Sequence, residues 1–508
     1  MVKNKLHTNF EAHTSLLRNK NMFLILFLAT VVSSCSLWGP KYTKPIIDTP
    51  KSWHGESSIQ GTKVESTNVS DFAWWTKFND PALNKLIEDA LANNNNLQMA
   101  IGNIMAAKAD LEKSKMSWVP IIGLGGTGFA GQLFNQSLSS NNSSFAGGVN
   151  PSTSNIYGAA GGFMPAYSFN ILQNLKTTDI AKLNLSMQTV AKNSVRLAVI
   201  SQVAGSYFTL LGLQRQLSLQ EQMILELKQL RAYTKIKVDN GINTNINIEM
   251  IDQFIANLST AIPNIKNNIT QTENALQVLT NKNPGKVITK NNFQNLKTTD
   301  IIPINMPSSV LKNRPDVLMA EYELQISNAK IGLNMARFFP TISLTSPVGA
   351  STFELSNLFS GSNDFWMAQL TATMPILDMG IYSDIKKSKA DYYSAYYNYI
   401  RVVRGAFADV DDNLSKYNSA NMVFKLREQE LNSANEMYQT GLTRFNTGAM
   451  SYADTINFKL NIDNVLINMN QAKMNQLNYI VDLYQAVAGG YNVNNNEKIK
   501  KFNDEHDI

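Results

Sequence analysis

Residues 366–376 read WMAQLTATMPI, and their alternation decides the fold. Trp366, Ala368, Leu370, Ala372, Met374 and Ile376 are apolar, while Met367, Gln369, Thr371, Thr373 and Pro375 between them are mostly polar. Period 2 over about ten residues suits a strand that crosses a bilayer with one face to lipid and the other to water. Trp366, Ala368, Leu370, Ala372 and Met374 are therefore expected to face lipid, and Gln369 and Thr371 the lumen. Earlier in the chain Tyr157, Phe163, Tyr167 and Phe169 share one parity, and Ile122 with Leu124 and Ile342 with Leu344 mark two further strands more weakly. Polar stretches from Asn135 to Asn155 and from Ser351 to Asp364 would be the tips of two hairpins, at about 119–170 and 339–379. Four strands cannot close a barrel, and an open sheet edge is not tolerated in hydrocarbon. Several copies must then share one barrel. Three copies would supply twelve strands and an aqueous lumen, although the pattern fixes the sharing and not the number.

Outside the hairpins the chain reads as helix, in two tandem repeats. Leu97–Ala100 followed by Trp118-Val119-Pro120 is echoed 220 positions later by Val317–Ala320 and Phe338-Phe339-Pro340. Lys237–Gly241 is echoed 207 positions later by Arg444–Gly448. The organisation expected is a first repeat at 80–285, a linker at 286–307, a second repeat at 308–490 and a flexible tail at 491–508. Proline costs about 3 kcal/mol inside a helix, and none occurs between Pro165 and Pro263 or after Pro375. Leu197, Ile200, Ala204, Tyr207 and Leu211 recur at spacings of three and four, as do Phe458, Ile462, Val465, Met469 and Ala472, which marks packed seams. A helix from about Ile171 to Asn240 would be on the order of 100 Å long. It must pack along other long helices. The fold class is thus mainly α with a membrane β-barrel contribution: a long helical barrel plus four strands per chain.

The N-terminus reads as a signal peptide over 1–34. Lys3, Lys5, Arg18 and Lys20 precede an apolar core from Met22 to Val32, which is too short to span a bilayer. Val32-Ser33-Ser34-Cys35 resembles a bacterial lipobox, and Cys35 is the single cysteine among 508 residues. Lipidation at Cys35 would anchor the extended segment 35–79, since each buried CH₂ contributes about 0.8 kcal/mol. Ser36 rather than an aspartate favours the outer membrane. Without Lys3, Lys5, Arg18, Lys20 and Glu11 the formal charge of +6 falls to +3, too small and dispersed to suggest nucleic acid.

These features together resemble the outer membrane efflux protein family, the TolC-like outer membrane factors, in its NodT-type lipoprotein branch. The resemblance rests on Cys35–Pro45, Trp74-Trp75, Phe78, Asp80-Pro81, Leu83 and Leu86-Ile87, on Arg314-Pro315-Asp316-Val317, and on Leu483–Ala486 with Gly489-Gly490. It covers about 36–490. It implies a homotrimer, a twelve-stranded barrel in the outer membrane and a helical tunnel in the periplasm. The glycine turns at Gly241 and Gly448, with Lys237 and Arg444, would then face a periplasmic adaptor protein and an inner-membrane pump. Asp454, six residues past Gly448, matches an aspartate that narrows the pore in relatives. A second aspartate of some relatives is Asn457 here, and the first-repeat equivalent of Asp454 is Asn247. Phe445 and Met450 stand where relatives carry a tyrosine and an arginine, so a latch of that type is not expected. The alternative reading of Asp454 is a solvated acid at a helix start, favoured by the dipole.

An enzyme would need a constellation that the chain lacks. Its four histidines are His7, His13, His54 and His506, and no metal motif, phosphate loop or nucleophile elbow is present. The acids Asp409, Asp411 and Asp412 read as a solvated helix face. No cofactor is expected. The function expected is a passive outer-membrane exit duct for drugs or other small molecules. A duct for type I protein secretion would use the same tunnel, and a structural coiled-coil lipoprotein would need only the seams.

Overall fold

The computed structural model describes residues 39–48, 53, 62–63, 69–135, 152–242, 244–289, 293–296, 298, 303–304, 308–352 and 364–493. The signal segment, Cys35, the centres of both hairpin tips and the end of the tail lie outside these. The chain forms two compact units. One comprises Met1–Thr43, Lys108–Asn184 and Gln325–Ser394; the other comprises Lys44–Ala107, Leu185–Leu324 and Ala395–Ile508.

The first unit holds an antiparallel sheet. Strand β2 (Ile121–Asn135) pairs along its whole length with β3 (Ser152–Phe169). Strand β3 then pairs with β5 (Thr341–Thr345) and β6 (Val348–Thr352), which pair in turn with β8 (Gln369–Thr373) and β7 (Asp364–Trp366). Numbering allows for β1 (Thr62–Lys63) and β4 (Pro303–Ile304), a two-residue parallel ladder elsewhere. The short pieces are two strands interrupted at one level. Thr345 faces Gln369 and Val348 faces Trp366, so the register runs unbroken across the gap. Pro347 is the cause. Its carbonyl accepts from Met367 N at 3.0 Å, but proline has no N–H to complete the reciprocal pair. Ala368 consequently sits in the interruption rather than in a strand, and Met374 lies past the end of β8. The strand expected over 366–376 is shorter at both places.

Facing residues of an antiparallel pair share a face. The register therefore aligns Leu124, Phe163, Val348 and Trp366 in one row, and Tyr167, Leu344 and Leu370 in another. Phe169, Ile342 and Ala372 make a third row on the same face. The opposite face carries mostly small or polar residues, Gly125, Gly162, Gly349, Ser168, Ser343, Thr371 and Gln369, with Ile121, Met164 and Phe365 as larger apolar members. Helices leave this unit through caps. Asn170 accepts from Gln173 N at 3.1 Å, opening α3 (Ile171–Asp239), and its amide donates to the carbonyls of Ala336 and Phe339. Asp378 accepts from Ile381 N at 3.1 Å, opening α6 (Met379–Asn446).

The second unit is helical. It holds α1 (Pro81–Asn93), the first parts of α2 (Asn95–Met116) and α5 (Pro315–Ala336), and α4 (Asn245–Leu279) and α7 (Tyr452–Ala486), which follow the long α3 and α6. The seam at Leu197, Ile200, Ala204, Tyr207 and Leu211 is buried. In the second seam Ile462, Val465 and Ala472 are buried, while Phe458 and Met469 are half-buried. Asp80 caps α1 through Ala82 N at 2.9 Å and takes Tyr207 Oη at 2.6 Å on its other oxygen. Trp74 stacks flat on Tyr484 at 4.8 Å. Arg314 donates to the Ala486 carbonyl at 2.7 Å and to Asp316 and Asp409 at 2.7 and 3.0 Å. Asp409, expected on a solvated face, thus pairs with a buried guanidinium. The first two residues of the expected tail bond to the helical unit. Tyr491 is buried with its hydroxyl on the Asn313 carbonyl at 2.9 Å, and Asn492 bonds Ser70 and Asp71.

Candidate functional site

The glycine turns lie in the helical unit, and both end their helices in one way. Gly241 (φ +71) sends its N–H to the Val238 carbonyl, and Ile242 N reaches the Lys237 carbonyl at 2.9 Å. Gly448 (φ +76) does the same to Phe445, and Ala449 N reaches Arg444 at 2.8 Å. This double bond pattern is the Schellman motif, which needs a left-handed residue where glycine alone is unstrained. Lys237 and Arg444 thus supply the carbonyls that close the turns.

The next helices start differently. Ser451 caps α7 by accepting from Asp454 N at 3.1 Å, and its hydroxyl donates to Asp454 Oδ2 at 2.7 Å. Asp454 is exposed at this helix start, where the dipole favours an acid. Thr244, the residue before α4, makes no side-chain capping bond. Asn247 and Asn457 are brought together: both line a groove of about 390 Å³ with Leu227, Ile251, Phe254 and Leu460. Asp454 is not among its lining residues.

Sequence reading missed an aromatic set beside these turns. Tyr233 and Tyr452 lie 4.2 Å apart, Phe445 meets Tyr452 at 5.6 Å, and Lys237 Nζ sits 4.9 Å over the Tyr233 ring. Nearby, Arg231 grips Asp252 with two hydrogen bonds at 2.5 and 2.8 Å, joining α3 to α4. The i, i+4 spacing of Tyr233 and Lys237 was the available signal. In a further cluster Lys459 on α7 meets Glu226 on α3 at 3.2 Å and Asp463 of its own helix at 2.9 Å. Burial pushes the Asp463 carboxyl up to about 6, and the Glu226 carboxyl beside it adds to the rise.

In the sheet unit, Leu370 and Ala372 pair with Leu344 and Ile342. Leu124, Phe163, Trp366 and Leu370 are each more than 60% exposed, so none of the described residues covers them. Both outer strands have a partner on one side only, so the sheet is open at both edges among the described residues.

Comparison with known proteins gives this geometry a family. The profile of the outer membrane efflux protein family matches residues 86–282 and 306–489. The chain is 27% identical over 473 residues to the cation efflux system protein CusC of Escherichia coli, covering 91% of this chain and 97% of that one. It is 23% identical over 476 residues to the toluene efflux pump outer membrane protein TtgC of Pseudomonas putida, covering 93% and 96%. Its fold matches the crystal structure of the Campylobacter jejuni CmeC outer membrane channel with a TM-score of 0.77 at 23% identity, covering 93% and 98%. The chain belongs to the outer membrane efflux protein family.

Proposed function

We propose that this outer-membrane protein is the exit duct of a tripartite efflux pump, in which three copies share one twelve-stranded barrel. The observation that carries the reading is the sheet: rows of large apolar residues on one face, mostly small or polar residues on the other, and both edges open among the described residues. In lipid, neither edge can stay unpaired. Copies joined edge to edge satisfy both, turn the apolar rows outward and leave the polar rows around water. The glycine turns would meet a periplasmic adaptor, beyond which stands an inner-membrane pump. No bond of the cargo is made or broken. Relatives named for cations and for toluene support a lumen that passes whatever the pump delivers. Cys35 would carry the lipid anchor, to be read as an acylated N-terminal Cys35 in the mass spectrum of the mature protein. Asp454, in three copies, would ring the narrow end of the duct, with Asn457 and Asn247 beside it.

The test is depth-specific. Leu370→Arg should cost about 2–4 kcal/mol of barrel stability if that position faces lipid, and Gln369→Arg should be tolerated. Equal losses of heat-resistant oligomer in the two variants would overturn the assigned face.

A further inference from the structure

Glu226 on α3 and Asp463 on α7 are brought together inside the helical unit with one cation between them. Lys459 Nζ reaches Asp463 Oδ1 at 2.9 Å and Glu226 Oε1 at 3.2 Å, and Gln222 donates to the same Glu226 oxygen at 3.0 Å. That accounts for one oxygen of each carboxyl. The other two, Glu226 Oε2 and Asp463 Oδ2, are buried with no hydrogen-bond partner, and Asp463 as a residue is fully buried. Lys459 Nζ, in contact with both, holds the two carboxyls on either side of one ammonium. The surroundings are apolar. Leu227, Leu230, Ile251 and Ile456 form one neighbouring cluster, and from α6 Ala434, Leu431 and Tyr438 pack on Ile462 and Val465. The charged groups acting on Asp463 are Glu226 from α3 and Lys459 from its own helix.

With both carboxyls ionised, the site holds two negative charges against one positive, and each carboxyl keeps one buried oxygen without a donor, which the medium penalises. One proton between them removes the excess charge and supplies the missing hydrogen bond. We propose that Glu226 and Asp463 form a proton-binding site that fastens α7 to α3 when occupied and loosens this junction when it empties. Neither the family assignment nor the exit-duct reading contains this site, and its test does not depend on them.

The sign follows from linkage. A carboxyl that holds its proton more tightly in the folded than in the unfolded chain adds stability at low pH, and that stability is lost as pH rises to the folded value. Here the folded value lies above the usual carboxylate range, at about 6. Hydrogen exchange of the full-length protein, corrected for the intrinsic pH effect, should show the 456–470 segment opening about tenfold more between pH 5 and pH 7. Asp463→Asn, an uncharged isostere, should hold the low-pH protection throughout. Infrared difference spectra give an independent reading: wild type minus Asp463→Asn should contain a protonated-carboxyl stretch at pH 5 that vanishes by pH 7.5. Equal pH dependence of exchange in the two proteins, or no such stretch, would overturn the site.

Discussion

The turn at Gly241 and the turn at Gly448 close with the same pair of backbone hydrogen bonds, yet the helices that follow them are fixed by different means. Ser451 and Asp454 hold the first turn of α7 within four consecutive residues. The start of α4 lacks this serine–aspartate pair and is tied to α3 further along, by Arg231 on Asp252. Two copies of one motif have thus kept the backbone solution and diverged in side chains. The turn geometry is set by a left-handed φ that glycine adopts without strain, whereas a helix start can be stabilised locally or across a hairpin.

The most disruptive way to test the shared part is to add a Cβ at each glycine. Space is free at both, with no atom within 4 Å of a built Cβ, so the whole cost is backbone. At φ +71 and +76 that cost should be about 1–2 kcal/mol for alanine. Gly241→Ala and Gly448→Ala should therefore destabilise the full-length protein equally in denaturant melts. Losses differing by more than a factor of two would show that the turns are not equivalent.

The divergent part is tested by Ser451→Ala. Loss of a serine N-cap costs about 0.5–2 kcal/mol, and the loss should appear as faster hydrogen exchange confined to the first two turns of α7. Protection at the start of α4 should not move. A matching change there would mean that the two helix starts are coupled, and the contrast between them would fail.

Much of this was legible in the chain. The alternation at 366–376 placed a strand, the glycine pair placed both turns, and the three-and-four spacing of Leu197 to Leu211 placed a buried seam. What escaped reading depends on partners far away in sequence. Pro347 would ordinarily end a strand, but the register continues through it because its carbonyl still accepts from Met367. Lys459 and Asp463, four residues apart, look like a surface ion pair until Glu226, more than 230 residues earlier, arrives beside them. Asp409 is exposed, as a solvated helix face requires, but its partner Arg314 comes from the residue before α5 and could not be read from the acid run. Periodicity reports which face is buried. It does not report which charge is buried with it.

The smallest structural effect should belong to Asp454, and it separates two roles for one carboxylate. As a helix-start acid, exposed and bonded to Ser451, it contributes about 0.3–1 kcal/mol. Asp454→Ala should accordingly leave folding nearly unchanged. If three copies ring a constriction, the same substitution removes three negative charges from a narrow passage, where cations would otherwise be held. Block of conductance by divalent cations in planar bilayers should weaken, while resting conductance rises only modestly, because the Phe445–Tyr452–Tyr233 aromatic set remains in place. Asn247→Asp gives the first turn the acid of the second and should strengthen the block. Cation sensitivity unaltered in both variants would reduce Asp454 to its capping role and leave the two turns different in stability alone.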